Sequence, residues 1–587
     1  MKFLNILTGQ NIRMAFVFLS VFFITFFCYL STLNNGFVWD DIYYILKNRN
    51  INNLGLDNIK WMFTSLYMSN WHPLTWLSMA LDYLFFGHNP SGYHLTNVIL
   101  HSLNSVLVLI LSAILIKINQ NPKVSIPHLN IFSDKKVILS SWIAALLFGI
   151  HPQHVESVAW ISERKDVLSM FFTILTFLAY IIYARALKNR TIYYGLSLLF
   201  FMLALMAKPM AVTIPVLLLL LDVYPLQRTN LTAHSANSLL YVKWSILLSE
   251  KLPFFLFSLA VVSLTLIAQT GAMVDLDRYG LGVRLLNAFN SVIVYISKFL
   301  FPINLQPFYG HQVNVNDFES YVPLIACFLA TLILVYWWFK KNYYLLIIWL
   351  FYLITLSPVI GIIQVGLQSS ADRYAYLPTL PFYIITGAFI SYLIYIPQQK
   401  MIAKTTIVTF FLVVIAILFF KTQQQITIWK NDLVFWNYVV HMNPENGRAQ
   451  SNLGRIEYSS GNYEKAIEHF GIAHSKNALL LEDMLFWGES LLKNQQPELA
   501  LAVYSVIVNT PVKIDKNKKS CIYYTMGCIY LLNKKITDAK ILFESVEINT
   551  PFYQKKQEIL SYISQFDNFQ MTQNLPSCQF CFENDEN

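Results

Sequence analysis

Long apolar runs separated by short polar interruptions occupy the first 425 residues of the chain. Eleven runs stand out, at 14–33, 97–117, 138–150, 167–183, 192–207, 210–224, 252–269, 321–339, 343–360, 379–396 and 405–421. A hydrocarbon core about 30 Å thick takes roughly 20 apolar residues as a helix, so these runs predict membrane spans. An odd number places the two chain ends on opposite sides. Lys2 and Arg13 share one side with five loops: Lys117, Lys123, Lys135 and Lys136; Arg185, Lys188 and Arg190; Arg228 and Lys243; Lys340 and Lys341; Lys400 and Lys404. Basic loops mark the cytoplasmic side, which puts the N-terminus there and the C-terminal part outside. Residues 286–301 are also apolar enough to span, yet counting them would move Lys340 and Lys341 to the wrong side. An interfacial or re-entrant helix is expected there instead.

Beyond residue 425 the hydropathy collapses and a repeat begins. Gly454, Gly488 and Gly527 are each followed twelve residues later by Ala466, Ala500 and Ala539, and four residues after that by Phe470, Tyr504 and Phe543. The first two units are offset by 34 residues and the third by 39. This spacing resembles the tetratricopeptide repeat, in which Gly and Ala let two helices approach and the aromatic fills the next layer. The expected fold is therefore all-α. A polytopic membrane helical bundle (1–424) is followed by a tetratricopeptide-repeat α-solenoid (425–568) and a polar tail (569–587). Within the first part, 34–96 forms the first outer loop and 271–320 an outer loop with the interfacial helix.

Composition agrees with a membrane protein: 56% of the 587 residues are hydrophobic and 13% charged. The net charge of +9 comes from single or paired basic residues at the ends of apolar runs, a topology signal rather than a nucleic-acid stripe. Six cysteines are too scattered for a disulfide framework, and the lone pair Cys578 and Cys581 lacks the four ligands of a structural zinc. The first apolar run is too long for a signal peptide and has no small-residue cleavage site, so it reads as a retained span.

The same topology gathers four polar clusters on the outer face. The first loop carries Asp40, Asp41, His72, Asp82, His88 and His94. The stretch "HPQHVESVAWISERKD" (151–166) contributes His151, His154, Glu156, Glu163, Arg164, Lys165 and Asp166; "AKPMAV" contributes Lys208; "QSSADRYAYLP" contributes Asp372 and Arg373. Successive loop residues point apart, so one of Asp40 and Asp41 is expected to face a shared pocket. That carboxylate could act as general base toward an acceptor hydroxyl or ligate a divalent cation, although a metal is not demanded. A solvated turn or helix cap would use the same residues. His151 and His154 with Glu156 have a spacing open to metal ligation, but Pro152 between them argues for a capped interface turn. Arg and Lys beside lipid suit phosphate, Arg by bidentate bonds and Lys as a point charge, and Lys208 and Arg373 are isolated at the membrane edge.

The motifs "FVWDD", "NWHPLTWLS", "GYHLTNVILH", "HPQHVESVAWISERKDVLS", "AKPMAVTIPVLLLLLDVYPL" and "SPVIGIIQVGLQSSADRYAYLP", with the repeats after them, run in one order along nearly the whole chain. In this the chain resembles the bacterial membrane glycosyltransferases with tetratricopeptide tails, relatives of the transmembrane-and-tetratricopeptide O-mannosyltransferases. The resemblance implies a fold of the GT-C type around a cavity open to the outer face. It implies a polyprenyl-phosphate sugar donor, an inverting transfer to a hydroxyl, and a location in the bacterial inner membrane with periplasmic repeats. On that basis Asp40 or Asp41, with Asp40 preferred, is the expected catalytic carboxylate, acting as general base. Arg164, Lys165, Lys208 and Arg373 are expected to bind the donor phosphate, while His72, His94, His151, His154, Glu156 and Asp372 line or support the pocket. The resemblance also makes the 271–320 loop a lid over the lipid tail and the repeats a surface for an acceptor protein or glycan. No DxD-bearing soluble nucleotide-sugar domain is present, which favours a lipid donor. Two rival classes share the composition. A lipid transporter or flippase would need sites near the midplane, and a tethered repeat scaffold would not need so many charged outer loops.

Overall fold

The computed structural model describes residues 9–121, 133–186, 188–229, 231, 241–271, 279–310, 313–363, 366, 368–398, 400–510 and 514–565. The tail 569–587 with Cys578 and Cys581, and Lys123, lie outside the described residues. The chain divides into two units, Met1–Asp432 and Leu433–Asn587, and the described residues form helices and turns with a single isolated β-bridge, Tyr309–Ser370.

Every expected span is helical. In the first unit the helices are α1 (Gly9–Cys28), α2 (Leu56–Thr64), α3 (Pro73–Phe86), α4 (Pro90–Gln120), α5 (Lys135–Ile150), α6 (Val155–Ala159), α7 (Arg164–Arg185), α8 (Arg190–Ala207), α9 (Ile214–Val223), α10 (Trp244–Gln269), α11 (Leu281–Leu300), α12 (Val322–Phe339), α13 (Tyr343–Leu356), α14 (Leu380–Ile394) and α15 (Met401–Ile426). Eight helical segments, carrying α1, α4, α7, α8, α10, α11, α12 and α15, are long and apolar enough to cross a membrane, and the chain is a multi-pass membrane protein. Four expected spans are shorter: α5 has 16 residues, α9 10, α13 14 and α14 15. Of these, α5 is buried in protein over most of its length. The segment expected in the interface, α11, is long and apolar enough to span, and only the positions of Lys340 and Lys341 favour an interfacial helix.

Local chemistry sets the helix starts. Asn89 accepts the Ser91 N–H at 3.1 Å ahead of Pro90, and Asp134 accepts the Lys136 N–H at 2.9 Å, each relieving an unpaired N–H of the first turn. Small residues then bring helices together. A Cβ on Gly387 of α14 would lie 2.3 Å from the Ser140 carbonyl oxygen of α5.

In the second unit, following α16 (Asp432–Met442), helices pair as α17 (Gly447–Ser459) with α18 (Tyr463–Ser475), α19 (Leu481–Lys493) with α20 (Pro497–Asn509), and α21 (Lys516–Leu532) with α22 (Ile536–Glu544), before α23 (Tyr553–Gln565). The repeat columns meet as their spacing implies. A Cβ on Gly454, Gly488 or Gly527 would lie 2.7, 2.6 or 2.9 Å from the ring of Phe470, Tyr504 or Phe543. The aromatic of each second helix thus fills the notch of the first.

Candidate active site

Residues from the first loop, the 160–165 stretch, the α8–α9 turn, α10 and the segment after α13 line one cavity of about 530 Å³. Asp40, Lys165, Lys208 and Arg373 are among them, together with Glu163, Trp39, Tyr44, Trp160 and Tyr374. Val262 and Leu266 of α10, with Val359 and Ile363, make an apolar wall.

The two aspartates of the first loop part company. Asp40 lines the cavity. Asp41 is 1% exposed and closes a turn by accepting the Val38 N–H at 3.0 Å, while its other oxygen accepts the Ser162 N–H at 2.8 Å and the Ser162 hydroxyl. Burial pushes the Asp41 carboxyl up to about 7, against the lowering effect of these bonds. Asp41 therefore pins the loop to the 151–166 stretch, and its neighbour points into the cavity.

Glu163 organises the cations, a role absent from the sequence expectation. Its carboxylate meets Lys165 Nζ at 3.2 Å, Lys208 Nζ at 3.3 Å and Arg373 Nε at 3.3 Å. Lys208 also pairs with Asp166, and Arg373 with Glu156, which accepts the Arg373 backbone N–H at 3.0 Å as well. Burial, outweighing the Arg373 charge, raises the Glu156 carboxyl. Lys165 sits 5.3 Å from the Tyr44 ring centre and Arg373 4.8 Å from that of Tyr374, so aromatic faces hold the cations beside the cavity. Lys165 meets one carboxylate, Glu163, and also bonds the Tyr44 side chain, whereas Lys208 and Arg373 each meet two carboxylates.

Other expected site residues lie elsewhere. Arg164 does not line the cavity: it is fully buried and bonds Asn97, Ser78 at 2.7 Å, Asp82 at 2.6 Å and the Tyr93 carbonyl at 2.9 Å, tying α3, α4 and α7 together. His151 accepts the Gln153 N–H at 3.3 Å on Nδ1 and donates from Nε2 to the Phe299 carbonyl at 3.0 Å, and burial lowers its pKa to about 4. His154 bonds the Phe148 carbonyl at 2.9 Å and Tyr383 at 3.3 Å, and is likewise held neutral by burial. His72 is buried against Tyr44 and Trp76, one layer behind the cavity wall, and His94 is buried in α4. Asp372 accepts from the Tyr309 hydroxyl at 3.0 Å, with its pKa raised by burial and by Glu156.

Glu163, Asp166, Trp39, Tyr44, Trp160 and Tyr374 were missed as site residues. Glu163 and Asp166 stand inside the charged block; nothing in the spacing of the aromatics distinguishes them from core. Among the described residues, no group of three His, Cys, Asp or Glu side chains could hold a metal ion. The cavity carboxylates are Asp40 and Glu163, the latter already facing three cations. This donor set does not fit a divalent cation.

The chain is similar to Protein O-mannosyl-transferase Tmtc1 of Drosophila melanogaster, 36% identical over 220 residues, which are 35% of this chain and 23% of the relative. It is 34% identical over 161 residues to Protein O-mannosyl-transferase TMTC3 of Mus musculus (26% of this chain, 15% of the relative). To Protein O-mannosyl-transferase TMTC4 of Mus musculus it is 31% identical over 172 residues (28% and 22%). These matches span less than a quarter of the length of the relatives. No protein-family model matches the chain, and no solved structure matches it significantly. Over part of its length the chain is thus related to the TMTC protein O-mannosyl-transferases, the resemblance its motifs carry.

Proposed function

We propose that this protein is a membrane glycosyltransferase that moves a sugar, mannose by analogy with its relatives, from a polyprenyl phosphate to an acceptor hydroxyl on the outer face. The observation that carries the reading is the meeting of Asp40 with Lys165, Lys208 and Arg373 in one cavity that Val262, Leu266, Val359 and Ile363 also line.

Asp40 takes the proton of the acceptor hydroxyl as its oxygen attacks the anomeric carbon. The bond between that carbon and the phosphate oxygen breaks with inversion, and the electron pair leaves on the polyprenyl phosphate. Lys165, Lys208 and Arg373 hold this anion, which is already a competent leaving group, so no strong general acid is needed. Val262, Leu266, Val359 and Ile363 receive the first prenyl units. The N-terminus lies on the cytoplasmic side, as the basic loops imply, and the repeats outside bind the acceptor.

The test uses the full chain reconstituted in lipid, mannosyl polyprenyl phosphate and a Ser/Thr-containing peptide. The wild-type protein is expected to form glycopeptide, and Asp40→Asn to lower the rate by about 10³-fold with normal insertion. Equal rates in the two proteins would sink the assignment of the base. Movement of labelled donor across the bilayer without turnover would favour a transporter.

A further inference from the structure

Trp39, the residue before Asp40, has φ of 56°. This is left-handed space, where the Cβ of any residue but glycine crowds the following carbonyl. Such a conformation persists where its surroundings over-determine it, and it tends to be found at functional sites. Here the restraint comes from a segment nearly 400 positions away in sequence. The Trp39 N–H donates to Asp432 Oδ1 at 2.7 Å. The Gly36 N–H donates to the Lys430 carbonyl at 2.8 Å, and the Asn35 side-chain amide reaches the Ile426 carbonyl at 3.4 Å. The indoles continue the grip: Trp39 lies flat on Trp160, 4.8 Å between ring centres and 3° between planes, and Trp160 stacks on Trp429 at 5.5 Å and 22°.

We infer that Asp432 is a positioning residue for the transfer reaction. By accepting the Trp39 N–H it holds that peptide in the left-handed turn, which seats the indole on Trp160 and directs the Asp40 carboxylate into the cavity. Released from Asp432, Trp39 relaxes to negative φ and the Asp40 side chain swings with the peptide. Asp432 itself is absent from the cavity lining, so its effect passes through the backbone of Trp39 and not through substrate. The cation cradle is held by the carboxylates of Glu163, Asp166 and Glu156 on other segments, and those ion pairs are kept. The inference rests on the reading of Asp40 as the base.

The experiment compares kcat and donor KM in the reconstituted full chain for wild type, Asp432→Ala, Asp432→Asn, Trp39→Gly and the Trp39→Gly/Asp432→Ala double variant. A shift of about 1 Å at a catalytic group costs on the order of 100-fold, so Asp432→Ala should lower kcat by about that factor with donor KM unchanged. Asp432→Asn keeps an accepting oxygen and should stay within about fivefold of wild type. Glycine adopts positive φ freely, so in the Trp39→Gly background loss of Asp432 should cost less than about threefold, a non-additivity that only coupled residues show. An equal loss in both backgrounds, or a rise in donor KM with unchanged kcat, overturns the inference. Asp432→Asn as poor as alanine overturns it too, and decides alone should the alanine variant fail to insert. Wild-type protein without transfer activity would defeat the parent reading, whereas active wild type with fully active Asp432→Ala defeats this inference only.

Discussion

The two ends of helix α7 carry ion clusters built from the same side-chain types but put to different uses. Lys165 and Tyr180 mark the clusters, fifteen residues or about 22 Å apart along the axis. At the first end Lys165, Lys208 and Arg373 surround Glu163 and border a cavity. At the other, Arg228 bonds Asp222 and Glu250 at 2.9 Å, Lys251 pairs with Asp222, and the Tyr180 hydroxyl donates to Asp222 at 2.7 Å. Asp222 and Lys251 there are fully buried and face one another, a set that ties α7, α9 and α10 together, while Arg228 and Glu250 at its edge line a second cavity. Arg228, expected in a basic loop, is 2% exposed in this knot. The comparison teaches that charge near a membrane identifies a site only when donors remain uncommitted toward open space. A buried charge with every partner in place is a structural tie whose loss leaves another charge stranded.

Removing one member of the buried cluster should have the largest effect. Asp222→Ala leaves Lys251 short of its main partner and should destabilise the protein by about 3 kcal/mol, read as a lower unfolding temperature, with the donor KM of surviving protein unchanged. A changed KM with intact stability would erase the distinction between the two ends.

Acid should act next, on the turn that leads to the open cluster. The folded-state pKa of His151 is about 4, below the unfolded value of roughly 6.5. Its contribution is therefore complete above the unfolded value and is lost as pH falls from there toward 4. Between pH 7 and 5 the loss from this group is about 2 kcal/mol, and His151→Gln should remove that share of the pH dependence while other buried histidines, such as His94, keep theirs. Identical profiles for the variant and wild type would show that His151 does not set it.

The smallest and most selective change is Lys165→Gln. It should raise donor KM by about tenfold without moving the unfolding temperature, because its charge serves the cavity. Arg164→Gln, one residue earlier, should do the reverse, lowering stability through Asp82 and Asn97. If the two variants behaved alike, the division of labour within the charged block would be wrong.

Much of the architecture was legible because its signals are local. Apolar runs need no partner to announce a span, and the Gly454, Ala466 and Phe470 columns repeat because each unit packs on its own pair of helices. The length of spans was less legible: a segment such as α9 is cut to ten residues by the Pro209 turn, inside the bundle. Within the site, the quoted block 151–166 located the chemistry, but not which charges perform it. Adjacent helical residues point about 100° apart, so one rotation sends Arg164 to Asp82 and Lys165 to the cavity. Sequence offers no reference for that rotation. The orientation of Asp40 against Asp41 likewise depends on Ser162 and Asp432, both distant in the chain.

What the sequence by itself determined is the class of molecule: a helical membrane bundle, a repeat array and a charged, motif-bearing set of outer loops, all written in spacing and composition. Only the tertiary structure decided which charges are free to meet a ligand. That property depends on where each donor's partners lie, and those partners, Glu163 for Lys208 and Arg373 or Asp82 for Arg164, come from segments brought together by folding.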